Sequence, residues 1–237
     1  MTRRTSRGRG GESRSLHVRL RTAKQRTPSS QRWLERQLND PYVAAAKRAG
    51  YRSRAAYKLK EIDARYRLLQ PDRRVVDLGA APGGWSQVAA ECVAAAEGRG
   101  QVVAIDLAAV EPIAGVEILH MDFMDEAAPA HIAARLREGA ADVVLSDMAA
   151  PATGHAKTDH LRIMALAEAA VDFALQALAP GGSLLCKIFQ GGTERSLLDR
   201  LKRSFVTVRH IKPPASRSGN AELYVLAMGF RKHASSE

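Results

Sequence analysis

Lys187 occupies a position that folding alone does not explain. It lies inside the apolar segment 183–189, which is typical of a buried strand, and a lysine is almost never buried unless it is paired or functional. Asp147 lies near the end of another apolar segment, 141–148, and is the predicted partner of Lys187. A buried lysine beside a carboxylate can hold or deprotonate a hydroxyl nucleophile. The alternative is a buried ion pair that only fixes the strand register.

A glycine-rich turn, Gly-Ala-Ala-Pro-Gly-Gly-Trp over residues 79–85, follows the first predicted strand. Glycines let the backbone pass close to a ligand, and the N-terminus of the following helix offers free backbone N–H groups. The GxGxxG spacing of a dinucleotide site and the GxxxxGK[ST] loop of a triphosphate site are both absent. Pro82 would also impair a pyrophosphate cradle. We therefore predict that Gly79, Pro82 and Gly83 contact a different nucleoside-bearing cofactor.

Two further carboxylates lie at the ends of the next two predicted strands. Asp106 lies near the end of segment 102–107, where an acid suits a grip on the ribose diol of NAD or of S-adenosylmethionine. Asp122 follows segment 116–121 and can accept from an adenine amino group, with Phe123 beside the ring. Each acid alone could be a helix cap or a solvated loop residue. Together, beside a turn without GxGxxG, they favour S-adenosylmethionine.

Alternating strand and helix patterns position these side chains. Strands are predicted over 74–79, 102–107, 116–121, 141–148, 183–189, 206–211 and 222–230, and helices over 54–69, 87–96, 129–137, 159–178 and 194–203. This alternation predicts an α/β, doubly wound, Rossmann-like sheet of seven strands, mostly parallel, with an antiparallel last strand. In such sheets, ligands bind at the carboxyl ends of the strands, where the strand order switches.

The basic charge of the chain is concentrated at its N-terminal end. The 237 residues carry a net charge of +11, but residues 1–70 contain 19 Lys and Arg against five Asp and Glu. This asymmetry predicts a polyanionic partner, with nucleic acid as the first candidate; a solubilising tail is the alternative. Residues 1–38 are rich in Arg, Ser, Thr and Gly, so we predict a disordered basic extension followed by one catalytic domain, 39–237.

Composition also predicts the cellular setting. The longest apolar runs are too short to span a bilayer, and the first residues lack the apolar core of a signal peptide. Cys92 and Cys186 form no CxxC pair and are predicted to be inert buried thiols. The seven histidines form no cluster with ligand spacing, so no metal is expected. We expect a cytoplasmic monomer without membrane contact.

Several short motifs together resemble the FtsJ/RrmJ family of bacterial methyltransferases. They are Asp40-Pro41-Tyr42, Arg52-Ser53-Arg54-Ala55, Tyr57-Lys58-Leu59, the turn 77–85, Ser146-Asp147-Met148, residues 187–191 and Glu222-Leu223-Tyr224. The resemblance extends from about residue 40 to residue 230 and implies a class I methyltransferase fold. It also implies methylation of a uridine 2′-hydroxyl in large-subunit (23S) ribosomal RNA, with the rRNA or the large subunit as partner.

The resemblance also implies roles for individual residues. The catalytic Lys-Asp-Lys-Glu tetrad of the family corresponds here to Lys58, Asp147, Lys187 and Glu222. The residues placed on the cofactor are Gly83, Trp85, Asp106, Asp122 and Asp147.

Some basic and acidic residues have simpler interpretations. Lys58 could instead contact phosphate from a basic helix, and Glu222 could be a solvated strand end. Four other basic residues are predicted phosphate contacts: Lys47, Arg48, Arg52 and Arg54.

The substrate is the least determined part of the prediction. Transfer-RNA and mRNA-cap 2′-O-methyltransferases share the tetrad, although the short chain favours the ribosomal type. A non-catalytic ribosome-assembly factor on the same fold is an alternative from another class, disfavoured by the intact Lys187 and Asp147. An NAD oxidoreductase is disfavoured by the missing GxGxxG.

Overall fold

The computed structural model describes residues 27–151, 153–189, 194–217, 219 and 221–232. Most of the predicted N-terminal extension therefore lies outside the described residues. Gln190 and Gly191, which belong to one of the motifs quoted above, also lie outside them.

A seven-stranded sheet, in the order β3-β2-β1-β4-β5-β7-β6, forms the centre of the fold. The strands are β1 (Arg74–Leu78), β2 (Gln101–Asp106), β3 (Val116–His120), β4 (Ala141–Ser146), β5 (Leu178–Phe189), β6 (Phe205–Ile211) and β7 (Glu222–Phe230). Strands β1 to β5 pair in parallel, and β7 runs antiparallel between β5 and β6. The predicted α/β fold with an antiparallel last strand is confirmed.

From Ala55 onward, the helices occupy the connections that the sequence pattern predicts. They are α1 (Pro28–Leu38), α2 (Pro41–Arg48), α3 (Ala55–Tyr66), α4 (Gly84–Val93), α5 (Ala128–Ala133), α6 (Ala156–Ala177) and α7 (Glu194–Ser204). Single 3-10 turns lie at Ala95–Glu97 and Arg137–Gly139. In the described part of the chain, no helix combines the length and the apolarity that crossing a membrane requires.

Helix α1 corrects one prediction. The chain divides after Ala44 into two units, and α1 belongs to the first. The sequence predicts an extension over residues 1–38 that is disordered or folds only on binding, with a weak helix signal at Leu34 and Leu38. In the structure Pro28 begins a helix there, and the Thr27 side chain accepts a hydrogen bond from a backbone N–H of its first turn at 3.4 Å. A capping threonine followed by proline favours a helix start. The predicted boundary between extension and domain otherwise stays a prediction.

Strand β5 begins earlier than predicted. The sequence places a stop at residues 179–182 and a strand from Ser183, whereas β5 follows α6 directly from Leu178. Its pairing with β4 changes register between Ala141 and Val143, so extra residues of β5 bulge out of the ladder there. A bulge accommodates the proline and glycines that a regular ladder excludes. The Pro-Gly-Gly sequence signals a bulge and a turn equally well.

The apolar side chains of the strands alternate between two hydrophobic clusters. In β1, Val76 and Leu78 belong to a cluster with residues of α5, α6 and α7, whereas Val75 belongs to a cluster with residues of α3 and α4. Both faces of the sheet are therefore covered, as a mostly parallel sheet requires. This burial fixes the strands so that the carboxyl ends of β1, β2 and β4 meet at the switch in strand order.

Candidate active site

The glycine turn lies against the residues that follow β4. Its residues 79–83 join β1 to α4. Gly79 has φ +78°, and a Cβ placed on it would lie 2.8 Å from the Cα of Met148 and 2.6 Å from its Cγ. Because Met148 directly follows Asp147, only a residue without a side chain allows the turn to approach that carboxylate so closely.

A cavity of about 580 Å³ lies at this edge of the sheet, and its lining includes Gly79, Asp106, Asp122 and Asp147. Asp106 accepts a hydrogen bond from the backbone N–H of Ala81 at 2.8 Å. Asp122 accepts one at 2.9 Å from the backbone N–H two residues after it. A carboxylate has about four acceptor positions, so both groups are held by the backbone and can still accept from a ligand.

Three other predicted cofactor residues, Pro82, Gly83 and Trp85, are not among the described residues that line this cavity. The Trp85 side chain is buried, and its indole N–H donates to the carbonyl of Ala55 at 2.8 Å. Its ring lies 5.6 Å from the ring of Tyr224. The side chain therefore supports the interior of the site. A direct contact of Trp85 with a cofactor would fall to its backbone N–H in the first turn of α4.

Asp77, in β1, is a buried carboxyl group that the sequence interpretation missed. Its Oδ2 accepts from Ser86 Oγ at 2.6 Å, whereas its Oδ1 has no hydrogen-bond partner within the described structure. Burial raises the pKa of Asp77 to about 7; the bond from Ser86 opposes this rise, and the charges of Asp147 and Asp106 add to it. An acid inside an apolar strand is the same signal that identified Lys187.

Lys187, in β5, and Asp147, after β4, form the predicted pair. The Nζ of Lys187 lies 3.1 Å from Oδ1 of Asp147 and donates to the backbone carbonyl of the same residue at 2.6 Å. Lys187 is 7% exposed, and Asp147 lines the cavity. The pairing of β4 with β5 brings the two residues together. An ammonium group has three donors, and two of them hold Lys187 against Asp147.

Lys58, in α3, and Glu222, at the start of β7, form a second ion pair. The Nζ of Lys58 lies 2.7 Å and 2.8 Å from the two carboxylate oxygens of Glu222. Ser216 Oγ donates to the same carboxylate at 2.9 Å, and all three residues are buried. This burial argues against an exposed phosphate contact for Lys58 and a solvated strand end for Glu222.

Tyr224 connects the two ion pairs, and the sequence interpretation gave it no role. Its hydroxyl donates to Oδ1 of Asp147 at 2.8 Å and accepts from the Nζ of Lys58 at 3.1 Å. Burial raises the pKa of Tyr224 well above its usual value, and the carboxylates of Asp147 and Glu222 raise it further. The hydroxyl therefore stays protonated and can donate. Strand alternation contained this information, because residues two apart, such as Glu222 and Tyr224, face the same side.

The described cysteines are poor nucleophiles. Burial raises the pKa of Cys186 to about 12, and it also raises the pKa of the half-buried Cys92. Both thiols are therefore neutral at neutral pH and unreactive. Within the described ranges, no cluster of three or more His, Cys, Asp or Glu side chains could hold a metal ion.

Comparisons with known proteins identify the family of this chain. The FtsJ-like methyltransferase family matches residues 51–230. A Xanthobacter autotrophicus protein named ribosomal RNA large subunit methyltransferase E is 61% identical over 226 residues, which cover 95% of this chain and 89% of that protein. An Azorhizobium caulinodans protein of the same name is 58% identical over 226 residues, covering 95% and 94%.

A solved structure extends the comparison to the fold. A Plasmodium falciparum protein, provisionally described as a ribosomal RNA methyltransferase, is 30% identical to this chain with a TM-score of 0.66. The match covers 76% of this chain and 98% of that one. The family match spans most of the chain and includes the glycine turn and both ion pairs. The chain therefore belongs to the FtsJ-like methyltransferase family.

Proposed function

We propose that this enzyme transfers a methyl group from S-adenosylmethionine to the 2′-hydroxyl of a uridine ribose in large-subunit (23S) ribosomal RNA. The observation that carries the proposal is the position of Asp147, which lines the cavity and holds Lys187 at 3.1 Å. A buried lysine fixed at the edge of a cofactor cavity suits activation of a hydroxyl nucleophile.

The hydrogen-bond acceptors that line the cavity fit S-adenosylmethionine. Asp106 suits the ribose hydroxyls and Asp122 an adenine amino group, because ionised carboxylates only accept hydrogen bonds. Asp147 lies where a carboxylate attracts a cationic sulfonium. When bound, S-adenosylmethionine would supply a methyl carbon for in-line attack by an oxygen nucleophile, with S-adenosylhomocysteine as the leaving group. The predicted contacts of Pro82, Gly83 and Trp85 remain part of this proposal.

Lys187 is the group that we assign to the substrate hydroxyl. Two bonds fix its Nζ to Asp147, so the third tetrahedral position of Nζ is the one for the ribose oxygen. A ribose hydroxyl is a weak nucleophile at neutral pH and needs a base. Lys187 positions the hydroxyl and takes its proton when neutral.

Lys58, Glu222 and Tyr224, together with Lys187 and Asp147, form the part of the site that we assign to the substrate, the substrate side. The second ion pair is linked to Asp147 through the Tyr224 hydroxyl, so movement of one pair displaces the other. We assign this pair to orienting the ribose. The pair reaches Asp147 through the Tyr224 hydroxyl, and its two charges compensate each other. Holding a reactant in one geometry contributes to the rate by itself.

The RNA substrate is supported by the relatives and by charge. Relatives 58–61% identical over nearly the whole chain are named for large-subunit ribosomal RNA. The basic excess of residues 1–70 suits a polyanion. We also propose a cytoplasmic location and a monomer, which agree with a ribosomal substrate and one complete site in one chain.

The test offers labelled S-adenosylmethionine and the full chain three substrates: large ribosomal subunits lacking the modification, free large-subunit rRNA, and transfer RNA. Label is expected on the ribosomal substrates, in a 2′-O-methyluridine identified after nuclease digestion. Label on transfer RNA alone, label on a base, or no transfer to any of the three would contradict the proposal.

A further inference from the structure

Arg52, in the linker between α2 and α3, was predicted from sequence to contact RNA phosphate, and the structure gives it other partners. Its Nη1 donates to the carbonyl of Glu111 at 2.7 Å and to that of Pro82 at 3.3 Å, and its Nη2 donates to the carbonyl of Pro112 at 2.8 Å. One guanidinium group therefore joins the glycine turn to the loop after β2.

We propose that Arg52 is a positioning residue that holds the glycine turn and the loop after β2 in the shape that binds the cofactor. The inference rests on the proposed function, because Gly79 and Ala81 of the turn and Leu107 of the loop line the proposed cofactor cavity. A planar guanidinium suits this task, since its five donors form a rigid fork that one ammonium group cannot reproduce.

The backbone of the linker is fixed as well. The side-chain amide of Gln87, in the first turn of α4, accepts from the N–H of Arg52 at 2.9 Å and donates to the carbonyl of Gly50 at 3.1 Å. The stem of Arg52 thus starts from a point anchored to α4. Its guanidinium then reaches the opposite side of the turn, where the loop after β2 begins its return to β3.

The glycine turn is shaped to receive this linker. A Cβ on Gly83, which has φ +112°, would lie 3.0 Å from Nη1 of Arg52, and a Cβ on Gly84 would lie 2.3 Å from Oγ of Ser53. The linker therefore packs closely against both glycines, and a side chain at either position would displace side chains of the linker. The turn is held from two sides: its Ala81 N–H bonds to Asp106, and its Pro82 carbonyl bonds to Arg52.

This arrangement also joins the segments that border the cofactor cavity to the substrate side. The linker leads directly into α3, which carries Lys58. Arg52 therefore sets the position of the glycine turn relative to the helix that supplies one of the two buried lysines.

The test compares Arg52→Lys with wild type in the full chain, using two separate readouts. Binding of S-adenosylhomocysteine is measured by calorimetry, and binding of a large-subunit rRNA transcript is measured at several salt concentrations. Lysine keeps the charge and loses the fork, so we expect the dissociation constant for S-adenosylhomocysteine to rise about tenfold. The RNA affinity and its salt slope should stay unchanged.

Arg52→Met and Arg48→Gln complete the experiment. Arg48, at the exposed end of α2, is the control for loss of one positive charge. Arg52→Met should weaken S-adenosylhomocysteine further, and only Arg48→Gln is expected to lower the salt slope. Unchanged cofactor binding in Arg52→Lys, or a salt slope lowered by about one in Arg52→Met, would overturn the inference. If wild type itself binds no S-adenosylhomocysteine, the proposed function fails and this inference fails with it.

Discussion

The two sides of the cavity are built in different ways. On the cofactor side, Asp106 and Asp122 accept hydrogen bonds from nearby backbone N–H groups. On the substrate side, side chains from α3, β4, β5 and β7 bond to one another, with Tyr224 between the two ion pairs. The first side depends on bonds from the backbone, one within the turn at Asp122 and one between the ends of β1 and β2, and the second on pairing between side chains. Substitutions on the substrate side should therefore impair transfer, and those on the cofactor side should impair binding or stability.

The largest effect is expected from a substitution that disrupts the substrate side. Lys187→Ala removes the group assigned to the ribose hydroxyl, so kcat should fall by roughly a hundredfold to ten-thousandfold. The dissociation constant for S-adenosylhomocysteine should stay nearly unchanged, because the acceptors of the cofactor side remain. Single-turnover transfer and calorimetry measure the two quantities.

Two variants control that experiment. Lys187→Arg keeps the positive charge, but a guanidinium does not lose its proton in a protein, so this variant should also be inactive. Lys202→Ala removes an exposed lysine of α7 and should transfer at the wild-type rate. Substantial activity in Lys187→Ala would refute the assignment of Lys187.

The second prediction concerns the buried Asp77 beneath the cofactor side. Its pKa of about 7, raised mainly by burial, means that the folded protein keeps a proton that the unfolded chain releases near pH 4. Stability from this group is fully present below pH 4 and is lost as pH rises to 7. Asp77→Asn should remove this dependence, which has an upper bound on the order of 4 kcal/mol. Urea unfolding between pH 4 and 8 measures it.

Asp142→Asn is the control with the opposite sign. Burial of Asp142 raises its pKa, but hydrogen bonds from Arg74 outweigh burial and leave the pKa below the usual value. Its contribution is therefore lost as pH falls through that lowered pKa. If Asp77→Asn and wild type show parallel pH profiles, the Asp77 carboxyl is not held protonated in the folded protein.

The same contrast explains what the sequence could predict. The glycine turn, Asp106 and Asp122 follow strand ends and could be found from local patterns, because parallel strands share one edge. Lys187 was recognised as a charge in an apolar strand, and Asp77 carried the same signal. Strand alternation places Tyr224 on the same side as Glu222, but its position opposite Lys187 in the β5–β7 ladder requires the strand register.

Other differences also have physical causes. The partners of Arg52 are backbone carbonyls of two separate loops, and no sequence pattern records where a carbonyl will point. The indole of Trp85 faces inward toward Ala55, because a large aromatic ring at the start of α4 is buried more favourably than it is exposed. Loop conformation decided the first case and burial the second, and both arise only in the assembled fold.

A smaller effect is expected at Gly79, where the turn meets β4. Gly79→Ala introduces a side chain at positive φ and places it 2.8 Å from the Met148 Cα. Strain and displacement together should lower the free energy of unfolding by about 2 to 3 kcal/mol and weaken S-adenosylhomocysteine binding. Gly139→Ala has a similar φ of +63° with nothing nearby, so it should lose only about 1 kcal/mol. Equal losses would mean that the close approach is unimportant.

The smallest effect tests whether the substrate side acts as one unit. Tyr224→Phe keeps the ring against Trp85 but removes the hydroxyl that joins Asp147 to Lys58. Hydrogen bonds to charged groups contribute roughly 1.5 to 3 kcal/mol, so kcat should fall about tenfold, while cofactor binding stays constant. Tyr66→Phe, a half-buried tyrosine of α3, is the matched control. The tenfold loss is expected only if the hydroxyl orders both ion pairs. Full activity in Tyr224→Phe would therefore show that the two ion pairs act independently.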